Sequence, residues 1–417
     1  MTSPVREPLA GRRMTALIVV LGGLTAFGPL SMDLYLPAFP VLAEELHAGQ
    51  SQVQLTLTAD VVGLVAGQIV LGPLSDAWGR RRLLLGATVA CAVASLFCAL
   101  APSAAVLTAW RFVQGFSGGG GIVLARAVAA DLTSGVAAAR LFSLFMTLSS
   151  IAPIVAPVIG GALLVWTGSW PVMFYLLAAV NAALAAAIFV LVPESLPVAQ
   201  RHTGGLRQTG RAFRHLLRDR VFLGYALTVA FAYASLFGYI SGSSFALQEH
   251  YGLSATQFSA VFALNAAGMV VLGLLNARLV RHFPVRRLLV VGLAGSSVAA
   301  GVLVLAVTAG SSLGVLAVLP PLFVVVATRG LVSSNATVLG VERGSSAAGS
   351  ASAVLGACMF GGGVLVTPLV GLGPEGSPVP MALVVAGGAV AALLTTVLRT
   401  RSRAGMPVAE RSATSAP

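Results

Sequence analysis

Three charged residues stand inside apolar stretches of the chain: Asp33, Asp60 and Arg111. A charge at the centre of a membrane-spanning helix costs at least ~2.5 kcal/mol, so each is a functional candidate unless it pairs or reaches an interface. Counted inward from the nearest polar boundary, Asp60 and Arg111 each lie about seven residues deep, roughly 10 Å at 1.5 Å per residue, and Asp33 lies at a similar depth. Burial favours the neutral form of a carboxylate and a nearby guanidinium favours its charged form. An aspartate that meets Arg111 in one state and leaves it in another would therefore release and bind a proton alternately.

Other chemistries fit less well. All 25 basic residues are Arg and none is Lys, which excludes a Walker-A phosphate loop, a Schiff-base lysine and ATP hydrolysis by such means. Gly115-Phe116-Ser117-Gly118-Gly119 formally matches the G-x-S-x-G pattern of a hydrolase, but that pattern works at a strand-to-helix elbow with His and acidic partners. Here it sits in an apolar helical stretch, and His47, His202, His215, His250 and His282 fall in loops or at the ends of apolar runs, so an enzyme is not expected. Gly118 to Gly121 read as close-packing positions between helices. Cys91, Cys98 and Cys358 lack metal or redox spacing, and no metal or cofactor is expected.

The elements that must hold these residues are dictated by composition. Of 417 residues, 57% are hydrophobic and only 9% charged, against roughly 25% charged in a soluble domain. Apolar runs long enough to span a bilayer recur at 14–40, 53–75, 82–102, 104–127, 140–164, 170–192, 221–247, 256–278, 287–309, 312–332, 346–371 and 379–398. The expected fold is an all-α integral membrane protein of twelve helices. The net charge of +12 is spread over loops, which argues for topology signals at an anionic leaflet and against a nucleic-acid partner. With cytoplasmic termini, Arg6, Arg12, Arg13, Arg80 to Arg82, Arg126, Arg140, the 193–220 linker, Arg278 to Arg287, Arg329, Arg343 and the tail all lie inside; Glu44, Glu45, Glu249 and Glu375 lie outside, and Arg111 alone is left within the membrane.

The chain is also duplicated. Arg81-Arg82-Leu83-Leu84 recurs as Arg286-Arg287-Leu288-Leu289, a shift of 205 residues that carries the first span onto the seventh and the fifth onto the eleventh. Two pseudo-symmetric six-helix bundles are expected, at 14–192 and 221–398, joined by the 193–220 linker and flanked by tails at 1–13 and 399–417. Parallel halves of this kind place a substrate site at their interface near the bilayer midplane, so transport is the default function.

Between the second and third spans lies Gly72-Pro73-Leu74-Ser75-Asp76-Ala77-Trp78-Gly79-Arg80-Arg81-Arg82, which resembles the signature loop G-x-L-a-D-r-x-G-r-k of the major facilitator superfamily, with Ala77 in place of a basic residue. The segment Asp33-Leu34-Tyr35-Leu36-Pro37-Ala38 is similar to the D-M-Y-L-P-A segment of Bcr/CflA-type drug-resistance transporters. Leu107, Arg111, Gln114 and Gly115 resemble the l-x-x-x-R-x-x-q-G pattern of proton-coupled members, and Pro153, Pro157, Gly160 and Gly161 resemble the antiporter motif, with Ala in place of its first Gly.

The resemblance implies a proton-driven multidrug exporter of the bacterial cell membrane, a monomer without cofactor, whose partners are protons, a small lipophilic substrate and the bilayer. An exporter of one metabolite and a proton-coupled importer are the competing readings of the same fold. The family pattern makes the first and fourth spans line the cavity, which favours Asp33 acting with Arg111 and Gln114. Asp60 remains open between a second protonation site, a static partner of Arg111 and a residue facing outer water. The fifth span is read either as a tight seal between halves or as a kink. Asp76 is expected to pair with Arg126 and approach Ser345 and Ser346 as an inner gate, with Gly72, Gly79, Arg80 and Arg81 shaping its loop. Tyr35, Phe112, Met146, Tyr233 and Phe237, together with Trp110 and Phe231, are candidate cavity residues that core packing explains equally well.

Overall fold

A computed structural model describes residues 12–197, 201, 216, 218–309, 314–344, 348–374 and 376–399. The two tails beyond these bounds, most of the linker, and Ser345, Ser346 and Glu375 lie outside the described residues. The described chain is helical without strands: α1 (Arg12–Asp33), a 3₁₀ turn (Leu36–Ala38), α2 (Phe39–Glu45), α3 (Gln50–Trp78), α4 (Arg80–Ala99), α5 (Ala104–Leu132), α6 (Gly135–Thr167), α7 (Pro171–Leu191), α8 (Arg220–Phe245), a π turn (Ala246–His250), α9 (Ala255–Leu279), α10 (Val285–Thr308), α11 (Gly314–Ala327), α12 (Arg329–Arg343), α13 (Ala348–Val370) and α14 (Pro378–Arg399). These elements make twelve membrane spans in two pseudo-symmetric six-helix bundles, α1 to α7 and α8 to α14. Ten of them are long and apolar enough by themselves. The other two are α5, which carries Arg111, Arg126 and Asp131, and α13.

Helix ends follow the local chemistry. Ser254 and Gln257 cap α9 reciprocally, each side chain accepting the other's backbone N–H. At the end of α3 the chain turns through Gly79 at φ +97°, and a Cβ there would meet the Glu194 carboxylate and the Arg201 guanidinium. Glycine is the residue that adopts this conformation freely.

Two expected boundaries are corrected. The first span, expected over 14–40, is helical only to Asp33; the chain then breaks into the 3₁₀ turn around Pro37, which has no N–H to donate and disfavours helix in the residue before it. The tenth span, expected to stop at 332 with Arg329 near its inner end, continues as α11 and α12 to Arg343. Its polar second part is buried by matching polar groups rather than released to a loop: Asn335 and Asn276 exchange side-chain hydrogen bonds at 2.8 and 3.2 Å. Arg329 is therefore a second intramembrane arginine, 2% exposed.

Packing divides the molecule by depth. Near the Arg-rich face, which carries Arg80 to Arg82 and Arg286 to Arg287, each bundle has an apolar cluster of its own, one around Leu21, Leu124 and Phe145 and one around Phe222, Leu289 and Leu355. Toward the opposite face one large cluster runs through both bundles, with Phe39 and Phe245 5.8 Å apart.

Candidate functional site

The site begins with a close approach of two backbones. Gly63 and Gly67 on α3 face Gly115 and Gly119 on α5; a Cβ on any of the four would fall on a carbonyl of the facing helix, that of Phe112, Phe116, Asp60 and Leu64 respectively. Such small-residue pairs let helices associate tightly within a bilayer. Because Gly115 rests on the Asp60 carbonyl, the turn of α5 that bears Arg111 is fixed against the turn of α3 that bears Asp60.

The result is an ion pair. Arg111 Nη2 lies 3.1 Å from Asp60 Oδ2, with both side chains fully buried. Arg111 Nη1 donates to Gln114 Oε1 at 2.5 Å, and Gln114 Nε2 donates to Ser95 Oγ at 2.7 Å. The guanidinium lies 4.5 Å from the centre of the Tyr35 ring and 5.7 Å from that of Phe174, so cation–π contacts close it from the sides. Tyr35 is held in turn by Thr56, oxygen to oxygen 3.0 Å. The Asp60 oxygens and Arg111 Nε have no aligned hydrogen-bond partner among the described residues. Their contact is ionic more than directional, an arrangement that holds strongly only while both charges stay together.

Asp33 stands apart from this pair. It is 4% exposed, ends α1, and has no ion-pair partner among the described residues. Its carboxylate is within electrostatic reach of Tyr239 on α8, whose hydroxyl accepts a 3.0 Å hydrogen bond from Asn265 on α9. In place of the expected association of Asp33 with Arg111 and Gln114, Arg111 joins Asp60 on one side and Gln114 on the other, while Asp33 looks toward the other bundle. The rotation of α3 decides this, and the glycines decide the rotation.

The antiporter-like segment serves both neighbours. α6 runs unbroken through Pro153 and Pro157. A Cβ on Gly160 would fall on the Leu34 carbonyl, next to Asp33, and one on Gly161 on the Ser259 hydroxyl of α9 in the other bundle. Gly160 and Gly161 thus make two close contacts, one within the first bundle and one with the second.

At the Arg-rich face Asp76 pairs with Arg80 at 2.6 Å rather than with Arg126, which has no ion pair among the described residues. Six residues of α5 follow Arg126 before the helix ends at Leu132, so Arg126 lies a turn and a half below the loop. Arg80 also reaches Asp131 at 3.3 Å and donates its backbone N–H to Glu194 Oε1 at 2.9 Å; Ser195 Oγ donates to Asp131 at 2.7 Å, and Arg81 to the Phe189 carbonyl at 2.6 Å. Gly72 packs on Val123. Asp131 and Glu194 fall outside the signature-loop motif, and the sequence signal for them is that, with Asp76, they are the acidic residues of a basic face of this bundle. In the second bundle Asp219 caps α8 through the Val221 and Phe222 N–H groups and pairs with Arg343 at 2.7 Å. Partial burial pushes its carboxyl up, but Arg343 and the two backbone donors outweigh that and hold it below the usual range.

The aromatic and soft candidates do not converge. Tyr35 and Phe237 are core residues, Phe112 and Met146 are exposed on bundle flanks, and Tyr233 is half-buried against α12. Ser117 is buried within α5 and has no strand elbow around it.

Buried charges within two duplicated bundles of membrane-spanning helices mark a membrane transporter, not an enzyme, and comparison with known proteins agrees. The sequence pattern of the Major Facilitator Superfamily matches residues 21–367, and the chain belongs to that superfamily. It is 37% identical over 396 residues to the uncharacterized MFS-type transporter YdgK of Bacillus subtilis, covering 95% of this chain and 98% of that one. It is 31% identical over 353 residues to a bicyclomycin resistance protein homolog of Haemophilus influenzae, covering 85% and 88%. A chloramphenicol resistance protein of Pseudomonas aeruginosa is 30% identical over 368 residues, covering 85% and 84%. The nucleoside transporter NupG has the same fold, with a TM-score of 0.72 at 13% identity over 91% of this chain and 99% of that one. Relatives named for drug resistance support a drug efflux transporter.

Proposed function

We propose that the protein is a drug:proton antiporter of Bcr/CflA type, a monomer in the bacterial plasma membrane with both termini cytoplasmic, exporting small lipophilic compounds by alternating access between bundles at 14–192 and 221–398. The observation that carries the coupling is the contrast between two buried carboxylates. Asp60 is matched by Arg111, whereas Asp33 has no counter-charge and sits where the bundles meet. An uncompensated charge in a membrane is costly, and a proton is the smallest cation that offsets it. We therefore assign proton exchange to Asp33 and a structural, field-setting role to the Asp60–Arg111–Gln114 cluster.

The driving force suffices. One charge moving through ~100 mV yields about 2.3 kcal/mol, equivalent to a roughly fifty-fold substrate gradient. With the Arg-rich face cytoplasmic, the contacts across the opposite face support a state closed to the outside, and the Asp76–Arg80–Asp131–Glu194 network is the part of the inner gate contributed by the first bundle.

The test is drug accumulation in inverted vesicles under an imposed pH gradient. Asp33→Asn is expected to abolish gradient-driven accumulation while leaving drug binding detectable. Undiminished gradient-driven transport by Asp33→Asn would overturn the assignment.

A further inference from the structure

Arg329 has no acid to answer it. It opens α12 at the middle of the Gly314–Arg343 span, about 21 Å by helical rise from the Arg343 end. Its side chain is 2% exposed, its Nε lacks a hydrogen-bond partner, and no carboxylate pairs with it among the described residues. The sequence explains why. After Arg220 the acidic residues are Glu249, Glu342, Glu375 and Glu410, all at or beyond the ends of spans. In the first bundle Arg111 is neutralised by Asp60; in the second, the 205-residue shift puts Asn265 at the position of Asp60, and its amide is engaged by Tyr239.

The direction of Arg329 follows from its neighbours. Gly330 packs on α9, where a Cβ would fall on the Met269 carbonyl, and Leu331 and Val332 cover Gly292 on α10. At 100° per residue the face left to Arg329 and Ser333 is the one turned to α8. There Tyr233 packs against the apolar cluster that includes Val332, with its hydroxyl within hydrogen-bonding reach of Ser333 and electrostatic reach of Arg329. A guanidinium fork and two hydroxyls thus lie on one helix face and the side chain opposite it at mid-membrane, a donor set suited to a planar oxyanion.

We infer that Arg329, Tyr233 and Ser333 form an anion subsite on the second bundle's side of the transport cavity, and that the exported compounds carry a carboxylate. This rests on the transport reading above, but it is tested by binding alone, without a gradient, so failure of proton coupling leaves it untouched. The rival occupant is Asp33, the other uncompensated buried charge, meeting Arg329 in a second conformation.

Thermal unfolding of the purified full chain should be followed with benzoate and salicylate against benzamide and salicylamide, at equal concentration and ionic strength. The carboxylates are expected to raise the midpoint and the amides not. Arg329→Gln should weaken the apparent carboxylate affinity about tenfold or more, as expected for a lost charge-assisted hydrogen bond, with no effect on the amides. Arg329→Lys should retain part of the response, and Tyr233→Phe should lower it severalfold. Should Arg329→Gln fail to fold, the matched pairs on the native protein and the Lys variant decide. Equal stabilisation by acids and amides, stabilisation by neither, or an undiminished carboxylate response in Arg329→Gln overturns the proposal. So does recovery of stability in an Asp33→Asn/Arg329→Gln double variant from losses seen in each single one, because Arg329 would then be the counter-ion of Asp33.

Discussion

Asp60 and Arg111 illustrate how much a buried pair depends on keeping both members. Removing one partner of such a pair leaves a bare charge in the membrane and costs about 3–5 kcal/mol, whereas removing both costs far less. Asp60→Asn and Arg111→Gln are each expected to lower the unfolding midpoint of the purified protein, and the double variant to lie above either single one. Additive losses in that cycle would mean that the two residues do not stabilise each other. Asp33→Asn, which leaves no unpaired arginine behind, should unfold near the native midpoint. The equal depth of Asp60 and Arg111 was legible by counting along the sequence, but the choice between Asp33 and Asp60 as partner was not. That choice turns on which face of α3 meets α5, a rotation that hydropathy does not encode in an apolar environment. The glycines at 63, 67, 115 and 119 do encode it, and reading Gly118 to Gly121 as close-packing positions was half of that inference.

At the scale of elements, glycines and caps divide the labour. Gly63→Ala, Gly67→Ala or Gly115→Ala would drive a methyl group into a facing backbone that has no side chain to move aside. Each should sharply reduce the yield of folded protein in membranes, while Gly86→Ala, with open space where its Cβ would be, should be neutral. Similar yields for the two groups would mean that α3 and α5 are not in backbone contact. The cap of α8 makes a prediction about pH. Because the folded-state carboxyl of Asp219 lies below its usual value, its contribution is complete above the unfolded value of about 3.9 and is lost as pH falls through the lower, folded value. Stability between pH 6 and 8 should therefore be the same for native protein and Asp219→Asn in its pH dependence, and the two should converge only in strong acid. The spans themselves were legible from apolar length, except where local chemistry competes with hydropathy. Pro37 breaks the first span, and α12 hides Asn335 by pairing it with Asn276 and buries Arg329 within the protein, so its polar sequence resembled a loop.

Across the molecule, the hydrogen bonds that join the two bundles among the described residues fall on one side. Ser51 Oγ donates to the Gly371 carbonyl at 2.8 Å, Gln54 to the Ser241 carbonyl at 3.1 Å, Ser244 to the Leu36 carbonyl at 2.6 Å and Gln248 to the Pro37 carbonyl at 3.2 Å, all toward the face opposite the arginines. The duplication that creates two bundles was visible in the sequence as the 205-residue shift, but their closure on this face was not, since it joins segments some 190 to 320 residues apart through side chains and turns of no distinctive type. Each of these hydrogen bonds contributes only about 0.5–1.5 kcal/mol, so the closed face can open when substrate and proton binding shift the balance by a few kcal/mol. A covalent link there should stop the cycle. A Cβ at Gly371 would stand 2.9 Å from the Ser51 Cα, slightly too near for disulfide geometry as the chain stands, but Gly371 lies in the turn just past the end of α13 and a small outward shift of that turn brings Ser51→Cys and Gly371→Cys into range, in a background with Cys358 replaced by Ser. Oxidation of the double variant is expected to abolish export in inverted vesicles and a reductant to restore it, with each single variant transporting in both conditions. Full export by the oxidised, cross-linked protein would show that this face does not open during transport, and alternating access through separation of α3 from α13 would have to be abandoned.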